Sequence, residues 1–479
     1  MEPNGQPELH STTSRLGTER LGRLLLRLST PSIISMMTVS LYHLADTFWV
    51  GKLGYQALAA ITITFPFFIL VISFGVGTGV GANALASRRF GERNVEATNL
   101  VAGQIFTLTA ILSAAFLLAT AVFTDPILHL SGATPDIMEL AHDYLWMFGW
   151  GVPFMLFRLM SRNLFQASGD AVKPMIFTLV GTISNAILDP FLIFGWWLFP
   201  EMGVAGAALA TAITSGLGAG LSLFYLLSGR SVYRIRPRHL VPAPAIIRDI
   251  YRVGLPSMTM EISESITFAL FNNVLAGFGS VALAAANIAM RVADLAFMPI
   301  IGTGHGLLPI VGFCFGARLW KRLWDAVRLA SAGLAVMLGL ATVVLVIFTP
   351  QAIALFNDDP ELLQIAVPGM RIFLSTLALI GPSIMFITAF QGLSKGNTAL
   401  VLSLARQLLF FVPAMLVLPR FLGLTGAWLS IPISDGCGAI IAAAWLYREY
   451  RQQQKSGLWE LPPVVVPPEA APRGHATLD

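Results

Sequence analysis

An aspartate in YHLADTFWVGKLG, residues 42–54, stands among residues that otherwise favour hydrocarbon. A charge at the centre of a bilayer costs about 2.5–3.5 kcal/mol on insertion scales, so such residues pair, face an aqueous cavity, or carry protons and ions. A second acid, Asp189, lies in NAILDPFLIFG, and Asn185 precedes it by four residues, on the same helix face. An amide one turn from a carboxylate can hold it by hydrogen bonding or share a cation with it. Tyr144 and Thr211 could add hydroxyls to this cluster. Carboxylates withdrawn from water can take up and release protons near neutrality; with an amide beside them they suit Na+ as well as H+. Two plainer readings stay open: Asp46 solvated among headgroups near the end of its span, and Asp189 capping a helix break before Pro190.

In the second half the intramembrane charges are Glu261, Glu264, Arg291 and Asp294. Glu261 sits one turn before Glu264, while Arg291 and Asp294, three apart, can pair on one face and neutralise each other. His43, three residues before Asp46, is placed for a proton relay or simply for packing, and His305 is a weaker candidate ligand. The two cysteines, Cys314 and Cys437, lie in apolar stretches and form neither a disulfide framework nor metal-ligand spacing.

The elements that must position these groups are membrane spans. Of the 479 residues 55% are hydrophobic and 12% charged, about half the charge of a soluble domain. The net charge of +4 is therefore no sign of a nucleic-acid partner. With roughly 20 apolar residues needed to cross the hydrocarbon, the sequence predicts twelve helices: 29–50, 56–84, 98–123, 138–158, 173–198, 203–228, 250–276, 282–310, 325–348, 364–390, 398–419 and 423–446. The N-terminus lacks the apolar core of a signal peptide. The expected organisation is a cytoplasmic segment at 1–28, a six-helix bundle at 29–228, a linker at 229–249, a second bundle at 250–447, and a Pro-rich tail at 448–479. Of the Lys and Arg residues assigned to loops and span ends, twenty-four fall on one side, Arg158 and Arg162 among them, against Lys52 and Arg420 on the other. That asymmetry places both termini in the cytoplasm.

The two bundles are copies. Residues 54–93 and 279–318 share 14 of 40 positions without a gap, including GTGVG against GTGHG and FGER against FGAR. Six spans per copy make the halves parallel, related by an axis along the membrane normal, as in carriers that rock around a central site. The stretch GVGTGVG, residues 75–81, lacks the strand and lysine of a nucleotide loop and reads as close helix packing.

These residues carry a resemblance. ADTFWVGKLG, the ALAA repeat, SRRFGERN, FQASGDAVKP, NAILDP with GVAGAALATAI, GLP before the seventh span, and RVADLAFMPIIGTG resemble the multidrug and toxic compound extrusion family over about residues 20–450. The resemblance implies an all-α twelve-helix membrane fold and export of amphipathic, often cationic compounds in exchange for H+ or Na+, with no enzymatic activity or cofactor. It is similar to the prokaryotic, DinF-like branch, in which Asp46 matches the first-span aspartate, Asn185 and Asp189 the fifth-span amide and acid, Tyr144 and Thr211 the associated hydroxyls, and Pro31 the bending proline. A Na+ ion would sit at Asp46, Asn185 and Asp189. Glu264 matches the seventh-span glutamate of the NorM-like branch, but LIGPSIMFITAFQG, residues 379–392, lacks that branch's tenth-span acid. The expected partners are small amphipathic molecules and the lipid bilayer of the plasma (inner) membrane, for a multi-pass monomer. A lipid-linked precursor flippase is the nearest rival; it would need deep basic groups, for which Arg291 and Arg406 are the candidates. An intramembrane enzyme is the rival of another class, and no spaced nucleophile and base supports it.

Overall fold

The computed structural model describes residues 11–197, 199–354 and 359–464, and among them it contains helices and no strand. Residues 465–479 of the Pro-rich tail lie outside the described residues. A short helix α1 (Ser11–Thr18) leads into the first bundle: α2 (Leu21–Gly51), α3 (Tyr55–Gly91), α4 (Val95–Leu130), α5 (Met138–Ala167), α6 (Val172–Phe194) and α7 (Gly203–Leu227). The second comprises α8 (Pro244–Ala276), α9 (Ser280–Gly316), α10 (Trp320–Ile347) with the short α11 (Thr349–Ala354), α12 (Pro360–Leu374), α13 (Leu377–Gly392), α14 (Gly396–Leu404), α15 (Val412–Leu422) and α16 (Leu424–Lys455).

Among the described residues nine helices are long and apolar enough to cross a bilayer, and the bent pair α12–α13 brings the number to ten. Helices α5 and α8 have the length, 30 and 33 residues, but are more polar: they carry Arg158 and Arg162, and Glu261 and Glu264. The two expected spans least suited to lipid are therefore those that carry these charges along their length.

Two spans differ from the continuous helices expected. The tenth is bent by 44° between α12 and α13; Ser375 turns its hydroxyl back onto Ile372 O at 2.7 Å, competing with the backbone ladder at the break. The eleventh widens into a π-helical stretch over Ala405–Phe411. Pro413 follows, and its missing N–H leaves an upstream carbonyl without its helical partner.

The bundles meet through the glycine stretch. Gly75 and Gly79 face α5, where an added Cβ would lie 2.9 Å from Leu159 Cδ1 and 2.5 Å from Asn163 Nδ2. Gly77 and Gly81 face the other bundle: a Cβ on Gly77 would lie 2.3 Å from Met258 Cγ, and one on Gly81 2.2 Å from the Ile250 carbonyl. The second copy reciprocates. Gly302 abuts Ile33 and Gly306 abuts Ser29, each 225 residues from its counterpart in the first contact. Gly91 lies against Phe313 O and Gly316 against Arg88 O, both leaving only 2.1 Å for a Cβ. The interface is isologous, the same patch used twice about one axis. The duplication reaches the turns as well: Gly54 and Gly279 have φ of 111° and 107°, and Arg93 and Arg318 have φ of 57° and 59°.

These contacts lie at the end of the molecule that carries α1 and Val464. There α1 bridges the bundles, with the Thr13 hydroxyl donating to Ser168 O at 3.0 Å and Arg322 Nε donating to Leu16 O at 3.0 Å. The backbone N–H of Val464 donates to Ala317 O at 3.1 Å. The inter-bundle linker is docked on α4: Gln104 Nε2 donates to the carbonyls of His239 and Val241, both at 2.9 Å, and Asn99 Oδ1 accepts from Arg234 N–H at 2.8 Å. At the linker's edge a hydrogen bond from the His239 ring, helped by Arg238 and Arg236, holds the Glu96 carboxyl below the usual carboxylate range. Glu264, midway along α8, keeps 58% of its side chain exposed, so the bundles flank a cleft that widens away from α1.

Gly91→Ala should push these ends apart. A Cβ 2.1 Å from Phe313 O forces helix separation, with an overpacking cost of about 1–3 kcal/mol. Spin labels at Asn94 and Arg318 should report a longer distance than in the parent, while Gly333→Ala, whose Cβ meets nothing within 4 Å, should leave it unchanged. An unchanged distance in Gly91→Ala would refute the role given to this contact.

Candidate ion and substrate cleft

Asp189, on α6, is fully buried. Its neighbour one turn earlier, Asn185, is 2% exposed, and its surroundings orient the amide. With Nδ2 turned to Asp189 Oδ2 at 3.1 Å, Oδ1 accepts from Thr211 N–H at 3.2 Å. The amide thus ties α6 to α7. From α2, the Tyr42 hydroxyl meets Thr211 Oγ1 at 3.0 Å, which brings three helices to one point. Thr214 lies one turn further along α7, its hydroxyl 3.4 Å from the Asn185 side chain and donating to Ala210 O at 2.8 Å.

Asp46 is half-buried, and its Oδ1 is buried without a hydrogen-bond partner among the described residues. It lies within electrostatic reach of Asp189, and Tyr144 and Tyr42 lie within reach of both acids. The structure therefore brings together Asp46, Asp189, Asn185, Tyr144 and Thr211. No group of three or more His, Cys, Asp or Glu side chains is placed to hold a metal ion among the described residues. What the site offers is two carboxylates, an amide and three hydroxyls: oxygen ligands fit for a proton or a monovalent cation, and poor for a transition metal. Pro31 lies buried in α2, fifteen residues below Asp46. Its missing N–H leaves the helix ladder one bond short where the terminal half of α2 is clamped against Gly302 and Gly306.

The second bundle is arranged differently. Glu264 does not stand alone: Arg406 Nη2 lies 3.4 Å from its Oε1, and Gln407 Nε2 donates to the same oxygen at 3.3 Å. Arg406 Nη1 also reaches Asp435 Oδ1 at 3.0 Å, and Asp435 is only 3% exposed. The π-helical stretch places Arg406 between two acids from α8 and α16. Glu261 is half-buried one turn away. Arg291 is exposed on α9, and the side chain of Asp294 lies outside the described residues.

Sequence reasoning missed four groups. Tyr42 was legible, since it precedes Asp46 by one turn on the same face. Asp435 was not, because it lies inside the predicted span 423–446 and its partner Arg406 comes from a different helix. Arg158 and Arg162, which the charge distribution assigns to a span end and the loop after it, are half-buried within α5. They correct the basic-side count and replace Arg291 and Arg406 as the deep cationic groups: Arg291 is exposed and Arg406 is committed to its acids. The signal was the apolar sequence around them, FMLFRLMSRNLF.

Two parallel six-helix bundles, joined at one end and flanking a cleft with buried acids, make the architecture of an alternating-access carrier. The chain belongs to the MatE family, whose profile matches residues 31–191 and again 256–416, the two matches 225 residues apart. It is a membrane transporter and not an enzyme. It is 27% identical over 415 residues to a protein named FAD transporter from Shewanella oneidensis, spanning 87% of this chain and 92% of that one. It is also 25% identical over 426 residues to the multidrug export protein MepA of Staphylococcus haemolyticus, spanning 89% and 93%. A solved structure described as the outward-facing conformation of a multidrug resistance MATE family transporter superposes with a TM-score of 0.88 at 27% identity, over 93% of this chain and 99% of that one.

The two bundles should answer differently to neutralisation. Arg406→Gln strands the buried Asp435 and should lower stability by about 3–5 kcal/mol, the usual cost of removing one partner of a buried pair. Glu264→Gln keeps the Arg406–Asp435 bond and should cost far less. Thermal unfolding of both variants in detergent checks this, and equal losses would contradict the arrangement.

Proposed function

We propose that the protein exports amphipathic, often cationic compounds in exchange for H+ or Na+, through a coupling site in the first bundle arranged as in the DinF-like branch. The observation that carries this reading is the buried, unpartnered Oδ1 of Asp46 beside the fully buried Asp189. Two carboxylates in one cavity hold more negative charge than the protein itself neutralises, so a cation or a proton completes the site.

Uptake of the ion at Asp46 and Asp189, with Asn185 and the hydroxyls of Tyr42, Tyr144 and Thr211 as further ligands, removes the charge that holds a cationic substrate. Ion and substrate then compete for one site. The far half of α2 follows the change, since Tyr42 links it to Thr211 and Pro31 supplies the weak point below. The bundles rock once the substrate has left, and the ion departs on the other side. Coupling requires that each ligand bind the two states with different affinity; the electrical part of the drive is about 2.3 kcal/mol per charge per 100 mV. The basic side faces the cytoplasm, so both termini lie there, in a monomer of the plasma membrane.

Purified protein in liposomes loaded with ethidium tests this. A proton or a sodium gradient, imposed separately, should drive dye movement with one of the two ions, and Asp46→Asn and Asp189→Asn should each reduce it to background. Transport surviving both substitutions would move the coupling site to Glu261 and its neighbours.

A further inference from the structure

The mechanism above uses the acids of the cleft and leaves Arg158 and Arg162 without a task. They are one helical turn apart, so they share a face of α5. The Nε of each is buried and has no partner, and neither side chain makes a hydrogen bond or ion pair among the described residues. Arg406, by contrast, has two acids. An uncompensated guanidinium inside a membrane protein is costly unless it lines a water-filled cavity or meets an anion.

Their position fits the second purpose. Gly75 and Gly79 press α3 onto Leu156, Leu159 and Asn163 of α5, which sets the arginines level with the bundle contact, at the base of the cleft. Arg158 lies along Gly218 of α7, and its field reaches Tyr42 and His43. Arg162 reaches Glu261 and His305 of the second bundle. Of the two guanidiniums, Glu261 is within reach of Arg162 alone, and Tyr42 is the hydroxyl within reach of Arg158. Above them the exposed His43 ring meets Phe68 edge-on at 6.3 Å, and Phe68 stacks on Phe65 at 5.9 Å, an aromatic wall beside the positive charge.

We propose that Arg158 and Arg162 form an anion subsite at the base of the cleft, and that the cargo of this protein includes aromatic compounds carrying a phosphate group. Two guanidiniums on one face can grip phosphate oxygens through paired, charge-assisted bonds, with the ring of the same molecule against the phenylalanines. This deepens the exporter reading and rests on it. The cleft is bipolar, acidic at Asp46 and Asp189 and basic at its base.

The test uses the full-length protein in neutral detergent and three fluorescent probes with the same ring: 1-naphthyl phosphate, neutral 1-naphthol and cationic 1-naphthylmethylamine. The phosphate should bind at least about tenfold more tightly than naphthol. Arg158→Gln and Arg162→Gln should each erase that preference with naphthol binding unchanged, and Arg158→Lys and Arg162→Lys should retain most of it. If the Gln variants fail to fold, the wild-type comparison still decides. Equal binding of the phosphate and naphthol, or a phosphate preference surviving both Gln variants, overturns the proposal. Dihexanoyl phosphatidate distinguishes the sources of phosphate: arginine-dependent binding of this lipid without binding of naphthyl phosphate would assign the subsite to lipid headgroups and overturn the aromatic cargo. Ethidium transport in the same preparation separates the two readings. Dye movement without a phosphate preference removes the subsite and leaves the exporter; a phosphate preference without dye movement does the reverse.

Discussion

The backbone contact between the bundles is the constraint from which the rest of the structure follows. Helices in lipid gain little from apolar burial against each other, so close approach and van der Waals packing must hold them. Residues 77, 81, 302 and 306 provide that approach because none has a Cβ. With the bundles joined at one end, they are free to part at the other, and water and solute can enter between them. The alternation in GVGTGVG does two jobs at once: one pair of glycines admits α5, the other admits the opposite bundle.

From this geometry follows a division between the two copies. In the first, polar groups converge from α2, α6 and α7 on acids that the protein leaves short of positive charge. In the second, Arg406 fills the corresponding interior and binds acids on both sides. A site whose acids already share a built-in guanidinium has less to gain from an arriving cation than one whose carboxylates have none. Duplication allowed one half to become a fixed counterpart to the other.

Much of this was legible in the sequence. The repeat, the helical class and the convergence of Asp46, Asn185, Asp189, Tyr144 and Thr211 follow from span length, turn spacing and the resemblance of particular motifs. What stayed hidden depended on depth and on partners from distant helices. Arg158 and Arg162 could be placed at a span end and in the loop beyond it because span ends are uncertain by several residues, and that margin separates a lipid headgroup from a cleft. The pairing of Arg406 with Asp435 required the π-helical widening before Pro413, which shifts side chains off the regular helical period. The bend between α12 and α13 was unreadable for a similar reason, since an apolar run of the right length looks continuous whether or not its helix breaks.

The bridge made by α1 carries one more consequence. Its hydrogen bonds reach Ser168 in one bundle and Arg322 in the other, each worth about 1 kcal/mol, and they exist only while the terminal ends stay together. Opening that end must first peel the helix from one side, so the conformational cycle runs over an uneven landscape. The N-terminal residues act as a thermodynamic bias on a machine whose two halves are otherwise nearly symmetric.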